Sequence, residues 1–503
     1  MELLIKDPAS YQKIVTAFKK HKTGLSLQDV SAQTGLSLAK VKELLPLAAD
    51  EYSARLEVTE SGEILYTFPQ GTRSRYRGFR AVLRKSLFFV SQNALKALAL
   101  LFKVWIMVML IGYFVLFLVI ALGTLVISAS ANSNRRRGGG NASMGLFNMF
   151  IRLWFYSELM GASRRRGSSW SSLPQAGNRE KKNPLHHRIF SFIFGDKDPN
   201  GDREEELKKA FIAFVRNNRG IISLPELMIL STLPPQEAET LMMELCAEFG
   251  GSPEVSGQGT LVYRFEEIML SGTAPENPPA LGTISAFYKK LESFSQNPAG
   301  MNTWFALING LNLIFGVYFL YNSINVGSLI QEPGMYSNFY IILAQGGIDP
   351  LFFIQVVLGI VPLLFSALFW IIPALRSWLL SRKNESHRVD NFRSFCINRI
   401  WRTPEAFNAE GALPANDECH PRNLDKGRAR VLKDISAYWM PEITIGENQK
   451  EVFSFLNLKF EKEALQAYRS GSGPARDLGG IVFDSAAPLG PTPTIDQEAE
   501  THE

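Results

Sequence analysis

GLSLQDVSAQTGLSLAKVKELLPLAADEYSARLEVTESGEILYTF, residues 24–68, aligns without a gap on IISLPELMILSTLPPQEAETLMMELCAEFGGSPEVSGQGTLVYRF, residues 221–265, at a constant offset of 197. Shared positions include Ser26/Ser223, Leu27/Leu224, Leu36/Leu233, Leu44/Leu241, Glu51/Glu248, Val58/Val255, Gly62/Gly259, Tyr66/Tyr263 and Phe68/Phe265. They fall on the apolar period and on the turn glycine, where a common fold constrains sequence most, while the polar faces diverge. In each copy a first helix (11–20; 207–216) precedes a short helix starting at Ser26 or Ser223. A Thr-Gly-Leu-Ser turn at 34–37 then starts a longer helix, and two strands flank a hairpin turn at 60–62. That is the order of a winged helix, with Gly35 in the turn and Gly62 in the wing supplying the backbone freedom.

Each copy passes through a Ser-Gln-Asn triplet, at 91–93 and 295–297, into a long uncharged stretch. A helix needs about 20 apolar residues to cross a bilayer, and 104–128, 302–324 and 351–375 meet that need. The expected fold class is therefore α+β winged-helix repeats combined with α-helical transmembrane segments, a mostly α, multi-domain, multi-pass integral membrane protein. The predicted order is winged-helix-like domain 1 (1–72), a basic juxtamembrane helix (73–103) and transmembrane helix 1 (104–128). An Arg/Gly/Ser-rich linker (129–185) with an interfacial amphipathic helix (144–159) leads to a signature motif and winged-helix-like domain 2 (186–270). A linker and juxtamembrane helix (271–301), transmembrane helix 2 (302–324), an external loop (325–350) and transmembrane helix 3 (351–375) follow. A cytoplasmic helical region (376–470), read chiefly as two basic helices with a strand-then-helix segment near its end, and a disordered acidic tail (471–503) complete the chain. The opening MELLIKDPASYQKIV has no basic region followed by an apolar run, so no cleavable signal peptide is expected.

The net charge of +5 over 503 residues hides a strong segregation. Residues 64–157 contain no Asp or Glu, yet they hold Arg73, Arg75, Arg77, Arg80, Arg84, Lys85, Lys96, Lys103, Arg135, Arg136, Arg137 and Arg152. Near an anionic leaflet each basic residue contributes about 1 kcal/mol of attraction. Arg73 to Lys85 and Arg135 to Arg137 are thus expected to contact lipid, including anionic headgroups. No Lys or Arg stands between Lys290 and Arg376, whereas Arg376, Arg382, Lys383, Arg388 and Arg393 follow the last span. The positive-inside rule then puts the 325–350 loop outside, and the second winged helix and C-terminal region in the cytoplasm of a bacterial cell. Basic residues flank the first span on both sides. Three paths satisfy this: a hairpin over 86–128, a return through 144–159, or one winged helix on the outside.

The segment 187–202, HRIFSFIFGDKDPNGD, sets aromatics beside a packed run of oxygen ligands. Here the chain resembles a family of uncharacterised membrane proteins of bacteria and chloroplasts that share the signature Phe-Ser-Phe-x-Phe-Gly-Asp-x-Asp-Pro-Asn ahead of a winged-helix-like segment. The resemblance extends to the Arg-Arg-Arg-Gly-Gly-Gly linker, to the Ile372-Pro373 and Arg376 exit of the last span, and to the helix running from Asn391, Phe392 and Arg393 to Arg402. It covers about residues 10–460 and implies no activity. An iron-sulfur assembly label carried by some plant relatives finds no support in Cys246, Cys396 and Cys419, which are isolated, since a cluster needs several thiolates held together.

Asp196, Asp198 and Asn200 with Gly201 match the first half of a calcium-binding EF-hand loop, and Asp202 adds a further oxygen. The bidentate Glu that the loop needs is replaced by Leu207, with Glu206 one place early. The competing reading is a turn and helix start in which Asn200 caps and the acidic run from Asp202 favours the helix N-terminus. It outweighs the calcium reading, and no other cofactor is expected.

A winged helix also suggests DNA, through its longer helix in the major groove. Copy one offers Lys40 and Lys42 but also Asp50 and Glu51, while copy two is acidic throughout that helix (Glu237, Glu239, Glu244, Glu248). Phosphate neutralisation supplies most DNA affinity, so protein contact is the stronger reading for both copies. No P-loop, GxSxG or HExxH occurs, and the adjacent His186 and His187 cannot form an i, i+4 metal pair. The second and third spans hold no ionisable residue of the kind that marks an ion path. Asn309, Asn312, Gly310 and Gly316 read as helix-packing positions, and Pro362 and Pro373 as kinks. The expected function is a non-enzymatic membrane scaffold or adaptor. Its tandem winged helices recognise an unidentified protein at the cytoplasmic face, and its spans associate with each other, as in a homo-oligomer, or with a partner. The alternative is a membrane-tethered transcriptional regulator that reads DNA through copy one, and an enzyme would need Asp196, Asp198 and His187 brought together.

Overall fold

The computed structural model describes residues 7–20, 24–68, 94, 96–131, 183–270, 284–298, 300–325, 335–445, 451–471 and 478–486. The Ser-Gln-Asn triplet at 91–93, the lipid-contact positions from Arg73 to Lys85 and from Arg135 to Arg137, and the amphipathic segment 144–159 lie outside these residues. The described residues are mostly helical, with three small sheets. It divides into two compact units. One comprises Met1–Phe88, Asp198–Glu292 and Arg382–Glu503, the other Phe89–Lys197 and Ser293–Ser381.

The first unit begins with α1 (Pro8–Lys20), α2 (Leu27–Thr34), α3 (Leu38–Tyr52) and the hairpin β1 (Arg55–Thr59) and β2 (Ile64–Thr67). Ser26 starts α2 through a reciprocal cap: the Asp29 amide donates to Ser26 Oγ at 3.1 Å, and the Ser26 amide to Asp29 Oδ2 at 3.2 Å. Such a cap contributes about 1 kcal/mol. Gly35 ends the helix at φ +72°, in the left-handed region that glycine adopts without strain. Apolar side chains from all three helices, among them Ile14, Val30, Val41 and Leu45, form a core of their own.

In the second unit, α4 (Tyr113–Ala131) follows a π-helical turn at Val108–Gly112, and α5 (Leu185–Phe194) carries the aromatic half of the signature. The chain then returns to the first unit with α6 (Arg203–Asn217), β3 (Ile221–Ile222), α7 (Leu224–Ser231), α8 (Pro235–Phe249), β4 (Ser252–Val255) and β5 (Leu261–Arg264). The bounds of α7, α8 and β5 fall 197 positions after those of α2, α3 and β2. The hairpin pairing repeats as well: Arg55 opposes Thr67 as Ser252 opposes Arg264, and Leu25 bridges Tyr66 as Ile222 pairs with Tyr263. Even a side-chain contact recurs, since Tyr11 bonds Glu51 where Lys208 pairs with Glu248. Within this unit the two modules touch through Lys13 and Glu205 and through the buried Asp29, which pairs with Arg216 at 3.1 Å.

The second unit continues with α9 (Met301–Ile324), α10 (Met335–Gln345) and, after a π-helical stretch at Phe353–Ile360, the first part of α11 (Val361–Arg402). Among the described residues three helices are long and apolar enough to cross a membrane: Lys96–Gly123, Met301–Ile324 and Pro350–Arg402. Phe117 stacks on Phe315 and Phe319 with ring centroids 5.2 and 5.7 Å apart. Helix α11 runs on through Pro373 without interruption to Arg402, so the exit of the last span and the basic helix expected over 384–401 are one element.

The remainder of the first unit departs from expectation. Residues 376–470 are not simply helical: β6 (Phe407–Asn408), α12 (Leu424–Trp439), β7 (Glu442–Ile445), β8 (Glu451–Ser454) and α13 (Leu456–Gly471) include a sheet of order β6-β8-β7, the counterpart of β3-β5-β4. The β7/β8 register is that of β4/β5 moved by 190 positions, with Glu442 opposite Ser454 and Ile445 opposite Glu451. Met440, at φ +44°, ends α12 where Gly250 ends α8. This third helix-and-hairpin module has a 3₁₀ turn at Asp417–Cys419 in place of a second helix. It shares one continuous apolar core with the second module, including Phe249, Phe265, Ile435 and Phe455. The tail expected to be disordered contributes β9 (Ile481–Asp484), which pairs antiparallel with β1.

Candidate functional site

The juxtamembrane helix expected within 271–301 is absent from 284–298, which runs without helical hydrogen bonding. In the first unit its backbone is gripped instead by three asparagine side chains. Asn391 Oδ1 accepts from the Lys289 amide at 2.8 Å, and Asn391 Nδ2 donates to the Lys289 carbonyl at 2.8 Å and to the Glu418 carbonyl at 2.9 Å. Asn200 makes the same two-pronged pair with Lys290, at 2.9 and 2.7 Å, and Asn384 with Glu292, at 3.0 and 2.8 Å. An amide side chain offers one acceptor and a double donor, which matches the N–H and C=O of one extended residue. The clamp therefore satisfies backbone groups that a helix would have satisfied internally.

Charged groups secure its ends. Lys383 bonds Asp198 at 2.7 Å and also reaches Glu292. The Lys383 hydrogen bond holds the Asp198 carboxyl below the usual carboxylate range, against the opposing effect of burial. Arg203 donates from one nitrogen to the carbonyls of Ser231 (2.8 Å) and Phe287 (2.7 Å), tying the strap to the end of α7. Asp198 Oδ1 meanwhile accepts from the Asn200 backbone amide at 2.8 Å, closing the expected turn, but the N-cap position of α6 is Asp202, without a side-chain capping bond, and not Asn200, whose side-chain amide is spent on Lys290.

In the second unit the preceding half of the signature is built around Arg376. Its guanidinium lies over the Phe294 ring at 4.2 Å and donates to the carbonyl of Phe192 at 3.0 Å, near the C-terminal end of α5, where a cation is favoured. Gly195 follows at φ +88°, and a Cβ there would come within 2.5 Å of Arg376 Nη1. Phe192 fills the space between Phe294, Phe305 and Phe369. Asp196 accepts from Ser191 Oγ at 2.7 Å and from the Gln296 amide at 2.8 Å.

Asp196, Asp198 and Asn200 thus have protein partners at short range, and among the described residues no group of three or more His, Cys, Asp or Glu side chains is placed to hold a metal ion. Of the helix-packing positions, Asn309 donates to the Ser366 carbonyl at 3.2 Å and Asn312 to the Leu110 carbonyl at 2.8 Å, so both join helices. A Cβ on Gly316 would meet Leu363 at 3.1 Å, whereas Gly310 faces open space.

The module surfaces differ from one another. On α8, Glu239 accepts from Tyr438 Oη of α12 at 2.6 Å, and the helix exposes Glu237 and Glu244 but no basic residue. On α3, Lys40 stands 3.5 Å from Asp7, and Lys42 and Glu43 are exposed side by side. Arg469 of α13 makes a buried two-pronged pair with Glu226, at 2.9 and 2.7 Å. Burial, with the Glu226 charge adding, pushes the nearby Glu461 carboxyl up to about 7.

The chain has a distant plant homologue. An uncharacterized chloroplastic protein of Arabidopsis thaliana is 23% identical over 423 residues, covering 80% of this chain and 75% of that protein. No family model and no solved structure matches the chain.

Sequence reasoning missed Asn384, Lys383, Arg203 and Phe294. Asn391 entered only through resemblance, and Arg376, like Lys383, otherwise only as a basic residue after the last span. Their partners are backbone groups or side chains 27 to 185 positions away, which no local pattern announces. The signal available was the asparagines themselves: Asn in a helix interior is unfavourable unless its amide is used.

Proposed function

We propose that the protein is a non-enzymatic, multi-pass membrane scaffold whose stacked winged-helix modules recognise protein on one face of the membrane, a bacterial cytoplasmic or a chloroplast membrane. The observation that carries this reading is the Tyr438–Glu239 contact: the helix that a DNA reader would lay in the major groove is, in the second module, acidic and engaged with another protein element. Phosphate contact requires cations there, and none is present on α8. The same reading is supported by the shared core of the second and third modules, a precedent within one chain for module-to-module recognition.

Packing also bears on the membrane path. The second and third modules, separated in sequence by two of the candidate spans, share a core, which supports reading both on one side. The Asp29–Arg216 pair supports reading the first module with them. On that reading an even number of crossings lies between residues 68 and 198, by a hairpin or a return rather than with one winged helix outside.

Photo-crosslinking residues at Lys42, Glu43 and Met243 of the membrane-embedded chain test the reading. Discrete protein adducts are expected, together with no salt-sensitive retention of duplex DNA. Duplex retention that rises at low salt and disappears in Lys40→Glu would replace the scaffold with the tethered regulator.

A further inference from the structure

All three modules carry the same hairpin, and among the described residues only the first has a strand added on the outer edge of the hairpin's first strand. Among the described residues the outer edges of β4 and β7 carry none. The added β9 is therefore an occupant of the β1 edge rather than part of what the module needs to form.

Its mode of attachment defines a chemistry. Glu57 opposes Asp484, Val58 opposes Phe483 and Thr59 opposes Ile481, with a bulge between Val58 and Thr59. The Glu60 amide donates to the Gly480 carbonyl at 2.9 Å, the Ser61 amide to the Leu478 carbonyl at 3.2 Å, and the Ser485 amide to the Leu56 carbonyl at 2.9 Å. Arg55 grips the Asp484 carboxylate with two nitrogens. A Cβ on Gly479 would approach Glu60 Oε2 to 2.5 Å and one on Gly480 would approach Glu60 Oε1 to 3.2 Å, so a side chain on either residue crowds Glu60. Little apolar surface is gained: Leu478 is buried, but Ile481, Val482 and Phe483 are 56, 69 and 53% exposed. Main-chain hydrogen bonds give such a site its affinity, and the matched ends give it selectivity.

We propose that the β1 edge is a strand-acceptor site for an extended peptide of the pattern Gly-Gly, three apolar residues, Asp, and that residues 478–486 hold it in cis until a partner protein's segment of that chemistry displaces them. This rests on the reading of the modules as protein-recognition surfaces and names the surface and the ligand class. Charge complementarity with Arg55 selects the carboxylate, and the three exposed apolar side chains of the docked strand offer a partner a ready surface to extend.

A short tether gives the cis strand an effective concentration in the millimolar range. If its intrinsic Kd is about tenfold lower, the cis strand weakens a competing peptide about tenfold. The probe is a fluorescein-labelled LGGIVFDSA peptide, the sequence of residues 478–486, titrated by anisotropy against the detergent-solubilised full chain. Weak binding is expected for wild type, with about tenfold tighter binding when the chain ends at Gly471 or carries Asp484→Lys. Arg55→Glu in the shortened chain removes binding, and a peptide with Lys in place of its Asp restores it. Equal affinity for the intact and freed edges, or indifference to the Arg55 and peptide charges, overturns the proposal. So does a wild-type dimer by light scattering that becomes monomeric on shortening, which assigns the edge to a second copy. None of these readouts depends on the crosslinking test, so adducts on α3 without peptide binding sink the strand site alone, and the converse sinks the scaffold reading alone.

Discussion

Replacing Asn391 by Ala unfastens the strap at its most buried point. The side chain is fully buried and makes three hydrogen bonds, two to Lys289 and one to the Glu418 carbonyl. Its loss leaves one N–H and two C=O groups without partners, and each buried unsatisfied group costs about 1–3 kcal/mol. Water entering the space offsets part of that, so a local destabilisation of about 3 kcal/mol is expected. At 1.4 kcal/mol per factor of ten, the Lys289 amide should exchange with solvent about a hundredfold faster. Asn391→Asp keeps the acceptor but turns a carboxylate oxygen toward two carbonyls, and should loosen the segment at least as much. Hydrogen-exchange mass spectrometry of the full chain in detergent, read on peptides covering 284–292, makes the comparison. Unchanged protection there in both variants would refute the clamp, because the backbone would then be held by something other than its asparagines.

Gly195→Ala should cost about 2–4 kcal/mol, because it combines a positive φ with a collision against Arg376, and thermal unfolding in detergent reads this as an earlier transition. In α9, Gly316→Ala should lower thermal stability, since Leu363 must give way, whereas Gly310→Ala, facing open space, should leave it unchanged or raise it by about 0.5–1 kcal/mol. Glu461 titrates near 4.5 when unfolded and at about 7 when folded, so the folded state holds its proton more tightly. The associated stability is complete below pH 4.5 and is lost as pH rises through 7. Glu461→Gln should therefore match wild type at pH 4 and exceed it at pH 8 by up to about 3 kcal/mol in denaturant melts.

The first two modules were readable because their apolar period, turn glycine and Tyr/Phe anchors recur at one offset, and the helix and strand bounds follow that offset closely. The third was hidden. No second helix fills 409–423, so the order of elements that marks the first two modules is broken. Ile435, Trp439, Val452, Phe453 and Phe455, in the places of Leu245, Phe249, Val262, Tyr263 and Phe265, kept the apolar pattern. β9 was concealed by its Gly- and Pro-rich surroundings, although Ile481, Val482 and Phe483 are strong strand formers. In the signature, the oxygen-rich run was legible as a turn ahead of a helix, but the role of Asn200 was not, since it grips a backbone 90 positions away instead of capping that helix.

The central claim, three modules on one face of a membrane, is tested most directly by single-cysteine labelling with a membrane-impermeant reagent in intact cells and in opened vesicles. Lys42→Cys, Gln258→Cys and Lys433→Cys report the first, second and third modules, and Gln345→Cys reports the connection between the second and third candidate spans. All four positions are exposed. Positions 42, 258 and 433 are expected to label alike and position 345 from the opposite side. Any module position that labels together with 345 contradicts the central claim.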